Sequence, residues 1–286
     1  MRYLTDGSND APKFAPFFHT GTLDSLPANS TFPGVEGAEL AALLKEHGYV
    51  GVQGFDDSFR ADAQAGGLRT AGGMGRQSDP AAYDDLTREA KDSGHVCATL
   101  HVGNGLESDA EADRLLGAVV EASAKYEFPL YVETHRATVT QDVWRTVELV
   151  KRHPDLCING DFSHWYTGLE MPYAGVDANM DYAQPVLDRV GYMHGRIGNS
   201  GSMQVDIGDG TSAAGQHVAD FENIWGRCFA AFKRNAPAGA YLPLAPELLR
   251  GGDINYARVF DGREETDRWQ QAGVMIRMAQ RLFEAA

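Results

Sequence analysis

Leu130-Tyr131-Val132-Glu133 is a short apolar run that ends on a side chain able to bind a metal, and three later runs end in the same way. They cover residues 156–161, 190–194 and 241–247, and their last residues are Asp161, His194 and Glu247. Runs this short and apolar are typical of buried parallel strands. The carboxyl ends of parallel strands in a closed barrel face one shared mouth. We therefore expect three carboxylates and one imidazole to converge there.

The rest of the chain has the rhythm of a (β/α)8 barrel. Four further strands are predicted upstream, over residues 14–19, 49–55, 68–73 and 95–101. Helical segments separate the strands, among them one that Asp79 and Pro80 begin, one that Ser108 caps and one that Thr140 caps. About eight strands alternating with helices predict an α/β fold, a TIM barrel that forms a single domain over residues 1–286.

Composition and charge exclude several classes of partner. The chain has 286 residues and a net charge of -15, which disfavours nucleic acid and anionic membranes because both are bound through basic patches. No apolar run is long enough to span a membrane, and residues 1–6 do not begin a signal peptide. The three cysteines have no CxxC spacing, so no disulfide framework is predicted. A cytoplasmic location is expected.

The four strand-end residues are informative as a set. Any one of them alone would be interpreted as a hydrogen-bonded residue at a strand end. Burying the carboxylates of Glu133, Asp161 and Glu247 together without a cation would be costly, through desolvation and mutual repulsion. Oxygen-rich ligation with one nitrogen suits Mn²⁺, with Mg²⁺, Co²⁺ and Zn²⁺ as alternatives.

Glu133, the Asp161-x-x-His164 pair, His194 and Glu247 resemble a known pattern. It is the Glu / Asp-x-x-His / His / Glu pattern of the xylose isomerase-like TIM-barrel superfamily, which includes sugar phosphate isomerases and epimerases of the D-tagatose 3-epimerase type. The resemblance implies one divalent metal held by Glu133, Asp161, His194 and Glu247. It also implies that His164 contacts the substrate. Two departures are an insertion of about twenty residues after Arg196 and the position of that arginine, only two residues beyond His194.

The implied activity is that of a metal-dependent isomerase or epimerase of a small-molecule carbohydrate. A divalent metal would act as a Lewis acid on a keto-sugar, and Glu133 and Glu247 would be the catalytic acid and base through an enediolate. The alternative is a carbon–oxygen lyase or dehydratase acting on a keto-sugar, keto-glycoside or cyclitol, since the same enolate serves both reactions. An AP-endonuclease activity is disfavoured by the acidic charge, and a non-catalytic sugar-binding barrel by the complete ligand set.

Further residues are candidates for binding the substrate. His19 and His101 lie at predicted strand ends, where contact with the substrate and an ordinary hydrogen bond are equally expected. Arg196 is a candidate for a phosphate group, as is Arg76, although no phosphate-binding motif is present. Trp165 would form an apolar wall against a sugar face. His135 and Arg136 either point towards the substrate or pair with a neighbouring loop.

Two glycine-rich stretches complete the predictions. Gly72, Gly73 and Gly75 follow the third strand, and a turn is favoured there over a phosphate loop because neither GxGxxG nor GKS/T is present. Residues 198–219 are polar and rich in glycine, which predicts a lid over the mouth or a contact between subunits of a homo-oligomer.

Overall fold

Eight parallel strands close into one barrel. The structure is a computed structural model that describes residues 3–54, 57–252 and 256–286. The barrel strands are β1 (Lys13–His19), β2 (Gly51–Gln53), β3 (Arg69–Gln77), β4 (Cys97–Val102), β5 (Leu130–Glu133), β6 (Ile158–Asn159), β7 (Val190–Gly195) and β8 (Tyr241–Pro246). β1 pairs with β2 on one side and with β8 on the other, so the first and last strands complete the closure. The predicted α/β barrel is confirmed.

Helices surround the barrel between its strands. They are α1 (Gly37–Glu46), α2 (Asp57–Ala65), α3 (Ala82–Asp92), α4 (Asp109–Lys125), α5 (Val143–Arg152), α6 (Ser163–Gly168), α7 (Met171–Ala174), α8 (Val176–Tyr182), α9 (Gln184–Leu187), α10 (Gln216–Asn235) and α11 (Arg268–Ala285). A small antiparallel pair, β9 (Val259–Phe260) with β10 (Arg263–Glu264), lies outside the barrel. Within the described ranges, every helix is too short or too polar to cross a membrane.

Two apolar clusters lie on either side of the barrel wall. The larger core fills the space between the outer faces of the strands and the helices, and a smaller cluster fills the inside of the barrel. Along β5, Leu130 and Val132 belong to the larger core, whereas Tyr131 belongs to the inner cluster. Glu133 is the next inward position because side chains alternate along a strand.

Several predicted boundaries are corrected by the structure. α5 is capped by Asp142, whose side chain accepts a hydrogen bond from the backbone N–H of Arg145, and not by Thr140. The Thr140 hydroxyl instead donates to the backbone oxygen of Glu133. α3 begins at Ala82, because Asp79 forms a turn that accepts from the backbone of Ala81. Phe55 and Asp56, assigned to the second strand and its exit, lie outside the described residues.

Two stretches between the later barrel strands contain regular structure. The segment after Asp161 forms the short helices α6 to α9. Within residues 198–219, α10 already starts at Gln216, and the side chains of Met203, Val205 and Ile207 are buried. Gln204 also accepts a hydrogen bond from the backbone N–H of Leu249, which anchors the segment beside the end of β8. Its role as a lid or a subunit contact stays a prediction.

Candidate metal centre

Four strand ends bring the predicted ligands together inside the mouth of the barrel. Glu133, Asp161, His194 and Glu247 each offer one atom, and these atoms all lie within 4.8 Å of one another. His194 Nδ1 is 3.0 Å from Glu133 Oε2 and 3.4 Å from Glu247 Oε2. Glu133, Asp161 and His194 are buried, and Glu247 is the most exposed of the four. Their role as ligands stays a prediction, but their convergence is a feature of the fold.

Hydrogen bonds fix the orientation of the His194 ring. Its Nε2 lies 2.9 Å from Gln53 Oε1, and the amide nitrogen of Gln53 donates to Thr99 Oγ1. Gln53 Oε1 therefore accepts, so Nε2 carries a proton and Nδ1 faces the carboxylates. Asn159 Nδ2 lies 3.1 Å from both Glu133 Oε2 and His194 Nδ1. Histidines that bind a metal typically form such a hydrogen bond through the ring nitrogen that does not bind the metal.

Arg196 enters the same cluster as a counter-ion. Its Nη1 donates to Asp161 Oδ2 at 2.9 Å, its Nη2 donates to Glu247 Oε2, and its Nε donates to the backbone oxygen of Glu247. The guanidinium is almost completely buried and lies 4.5 Å from the ring centroid of Tyr256. Arg196 is engaged with Asp161 and Glu247, and its contact with the substrate stays a prediction.

The buried charges shift one another's protonation. Burial alone would lower the pKa of His194, but the carboxylates of Glu133 and Glu247 raise it to about 9. Burial raises the pKa of Asp161 to about 6 in spite of the positive charge of Arg196. Burial would also raise the pKa of Glu247, yet the charges on His194 and Arg196 hold it below its ordinary value. The cluster is therefore held together by paired charges.

The residues present fit a divalent cation. Glu133 Oε1 is buried and has no hydrogen-bond partner among the described residues, so this oxygen is free to bind a cation. Of the three carboxylates, those of Asp161 and Glu247 form ion pairs with the permanently charged Arg196. One divalent ion would neutralise the two remaining negative charges once His194 gives up its proton.

A cavity of about 150 Å³ opens beside the cluster. His19 and His101 line it together with Glu133, His194 and Glu247. His19 Nε2 is 3.7 Å from Glu247 Oε1, and His101 Nε2 is 3.3 Å from Glu133 Oε2. Both predicted substrate-binding histidines thus lie at the mouth, each beside one glutamate.

Three imidazoles are stacked at the edge of the cluster. The ring centroid of His135 is 4.1 Å from that of His101 and 3.8 Å from that of His164. His164 is fully buried, and its Nε2 lies 3.3 Å from Arg196 Nη1. His164 can therefore make its predicted contact only with a substrate group that reaches below the opening of the cavity. His101, Glu133 and His135 also form a second set of atoms within 4.8 Å of one another, which shares Glu133 with the first.

Trp165 does not form a wall of the cavity, which corrects that expectation. Its side chain is fully buried in the larger core, where the indole N–H donates to the backbone oxygen of Thr140. α6 turns the ring away from the mouth, whereas His164 on the preceding position faces the cluster. Tyr256, which contacts Arg196, was missed because nothing near it in the sequence marks a strand end.

Comparison with known proteins supports the fold. No family model and no curated protein matches the sequence. The structure resembles a protein described as the probable 3-DHS dehydratase of petrobactin synthesis from Bacillus anthracis, with a TM-score of 0.53, 14% identity and coverage of 81% of this chain and 92% of that one. It also resembles a xylose isomerase-like TIM-barrel protein from Mycobacterium smegmatis in complex with magnesium.

For the Mycobacterium smegmatis protein the TM-score is 0.52 and the identity is 12%, over 96% of this chain and 98% of the other. An uncharacterized protein from Parabacteroides distasonis gives a TM-score of 0.50 at 13% identity, over 95% and 98% of the two chains. Identities this low carry information about the fold alone. The chain therefore has the fold of the xylose isomerase-like TIM barrels, as its strand-end pattern predicted.

Proposed function

We propose that the protein is a divalent-metal-dependent isomerase or epimerase that acts on a carbohydrate next to its carbonyl group. The observation that carries the proposal is the position of Glu133 and Glu247, which both line the cavity and both contact His194. Glu133, Asp161, His194 and Glu247 would hold the ion, with Mn²⁺ as the first choice. When bound, the ion supplies Lewis-acid polarisation of substrate oxygens.

The two glutamates would move the protons. One carboxylate removes the proton from the carbon beside the carbonyl, which leaves an enediolate, and the other glutamate returns a proton to the same carbon or its neighbour. Glu247 is available to accept a proton because the charges on His194 and Arg196 hold its pKa below its ordinary value, against the effect of burial, so that the carboxylate is charged. The imidazole of His101, 3.3 Å from Glu133 Oε2, is placed to exchange a proton with Glu133.

Neighbouring residues would position this pair. Arg196 holds both the side chain and the backbone oxygen of Glu247. The amide nitrogen of Asn159 donates to Glu133 Oε2 at 3.1 Å. Carboxylates fixed in this way need little reorganisation during proton transfer, which favours catalysis.

A lyase or dehydratase acting on a keto-sugar, keto-glycoside or cyclitol is the second candidate. It shares the removal of the first proton, and it differs in that the second group protonates a departing oxygen. The imidazoles of His19 and His101 at the cavity support this option, since each lies beside a glutamate. The fold neighbour from Bacillus anthracis, described as a probable dehydratase, is consistent with it.

Deuterium exchange tests the proposal. The Mn²⁺-loaded protein is incubated in D₂O with D-fructose, D-tagatose, D-fructuronate and D-fructose 6-phosphate, and deuterium and product mass are measured by mass spectrometry. Wild type should place deuterium in a substrate or product, and loss of one water from the product would identify the lyase. Glu133→Gln and Glu247→Gln should each slow exchange by about 10²- to 10⁴-fold, the usual contribution of a positioned acid or base.

Elemental analysis separates chemistry from metal binding, because glutamine retains one ligand oxygen. Glu121→Gln, an exposed position on α4, is the matched control and should exchange like wild type. Wild-type exchange rates in both active-site variants, with metal retained, would refute the two-glutamate mechanism. Full metal occupancy in Asp161→Ala would refute the ligand assignment.

A further inference from the structure

A bulge in β3 changes the direction of Arg76. Gly73 pairs with Thr99 and Arg76 pairs with His101, so three residue steps on β3 oppose two steps on β4. The extra residue lies at the glycine stretch, where Gly75 has a φ of +60° that side-chain-bearing residues rarely adopt. In an undisturbed ladder Gly75 would oppose His101 and Arg76 would oppose Val102.

This difference decides which face Arg76 occupies. Paired residues on neighbouring strands point to the same side of a sheet, and successive residues alternate. His101 faces the cavity, whereas Val102 is packed in the larger core outside the barrel. The bulge therefore places Arg76 on the side of the mouth, and bulges beside active sites often redirect a side chain in this way.

Arg76 reaches this position as an uncompensated charge. Arg76 is exposed, and no carboxylate oxygen among the described residues lies within 4.0 Å of its guanidinium nitrogens, the distance that defines an ion pair. Gly73 and Gly75 line the cavity next to it, and a Cβ added to either would meet nothing within 4 Å. Open space therefore runs from the cavity towards Arg76 along these glycines.

We propose that Arg76 binds an anionic group, a carboxylate or a phosphate, on the end of the substrate that lies away from the reacting carbon. This inference rests on the proposed function, because it names the substrate class of the same site. The metal-ligand cluster has Arg196 as its own counter-ion, so the charge of Arg76 is left for the ligand. In a protein with a net charge of -15, a local cation at the rim would attract an anionic group that the rest of the surface repels.

Arg136 provides a matched comparison. It too is exposed and has no carboxylate partner in the described part of the chain, but its guanidinium lies 5.7 Å from the ring of Tyr256. Neither arginine lines the cavity itself, but Arg76 directly follows the lining residue Gly75, whereas Arg136 lies against Tyr256, which is not part of the lining. A non-specific effect of surface charge would involve both arginines, whereas the proposed binding site involves Arg76 alone.

Three ketohexoses that differ only at carbon 6 test the proposal: D-fructose, D-fructuronate and D-fructose 6-phosphate. Their binding to the Mn²⁺-loaded protein is measured by isothermal titration calorimetry. Wild type should bind at least one of the acids roughly tenfold more tightly than fructose, the effect of one partly exposed charge-assisted hydrogen bond. Arg76→Gln should abolish that preference, Arg76→Lys should retain part of it, and Arg136→Gln should leave it unchanged. Preference for one acid distinguishes carboxylate from phosphate.

Several results would overturn the inference. Equal binding of fructose and both acids would do so, as would an acid preference that survives in Arg76→Gln or is lost equally in Arg136→Gln. Failure of all three sugars to bind while Mn²⁺ is retained would also reject it for this substrate class. The proposed function fails separately, through loss of metal binding or of deuterium exchange in the wild type.

Discussion

The upper and lower layers inside the barrel have opposite chemistry, although the same strands build both. Tyr131 and Glu133 are two residues apart on β5, and Tyr192 and His194 are two residues apart on β7. The lower residues belong to the inner apolar cluster, where the rings of Tyr131 and Tyr192 lie 6.0 Å apart. The upper residues form the charged cluster at the mouth. On each of these strands, the residue that packs and the residue that carries charge are successive inward-facing positions.

The difference indicates how stability and function are divided. The lower layer excludes water and needs no ionic partner, and glycines make room for its rings. A Cβ on Gly191 would lie 2.5 Å from the ring of Tyr131. The upper layer buries carboxylates that would repel one another without Arg196 and His194. We therefore expect substitutions below to change folding and substitutions above to change metal binding.

The largest effect on stability is expected in the lower layer. Tyr131→Ala removes a fully buried ring, which should lower the free energy of unfolding by about 3–5 kcal/mol, as for other large aromatic residues cut to alanine. Tyr173→Ala is the control, because that side chain is 93% exposed, and it should change stability by less than about 0.5 kcal/mol. Urea denaturation gives both values. If folded Tyr131→Ala also lost its metal, the two layers would not be independent.

Arg196 should give the largest effect on stability in the upper layer. Arg196→Met leaves Asp161 and Glu247 buried without their counter-ion, which should destabilise the metal-free protein by about 3 kcal/mol. Saturating Mn²⁺ should restore part of the loss, since it supplies positive charge at the same place. Arg281→Met removes an exposed pair with Glu222 and should cost at most about 1 kcal/mol. Equal losses with and without Mn²⁺ would show that Arg196 acts by packing alone.

The smallest effect is expected outside both layers, at the start of α11. Asp267 caps this helix through the backbone N–H of Trp269 and also accepts from Ser30 and Thr31. Asp267→Ala should cost about 1 kcal/mol, a typical value for a lost cap. A loss as large as that in Tyr131→Ala would contradict the view that the barrel interior dominates stability.

The same residue gives a pH dependence with a definite sign. Burial would raise the pKa of Asp267, but hydrogen bonds from Thr31, Ser30 and Trp269 lower it below the ordinary value. Its charged form therefore stabilises the fold above the unfolded-state pKa of about 4, and this contribution is lost as the pH falls towards the lower folded-state pKa. Denaturation curves of wild type and Asp267→Asn should converge over that acid range. A constant difference in stability throughout it would refute the assignment.

The sequence predicted the barrel and the convergence of its ligand-type residues because both depend on simple periodicity. Short apolar runs locate the strands, and strand polarity then locates their ends. Gln53 could have been found by the same logic, since it ends β2. Asn159 could have been found in the same way, since it is the last residue of β6.

Other features depend on tertiary contacts that periodicity does not encode. Arg196 was expected to face a ligand, but only the folded chain shows that Asp161 and Glu247 lie on either side of it. Trp165 follows His164 directly, and the turn of α6 alone decides that one ring faces the cluster and the other the core. The bulge in β3 depends on pairing with β4, so the glycine stretch indicated a turn and not a change of register.

The pairing of β1 with β8 has a consequence for how the chain matures during synthesis. Lys13 pairs with Tyr241, so the barrel cannot close until the last strand has been synthesised. Glu133, Asp161, His194 and Glu247 also emerge in that order, and Glu247 follows the closing strand directly. Because domains assemble from the amino terminus as the ribosome releases them, an incomplete nascent chain holds an open sheet without its last carboxylate. If the cluster binds an ion as proposed, the complete ligand set becomes available only once residue 247 has left the ribosome.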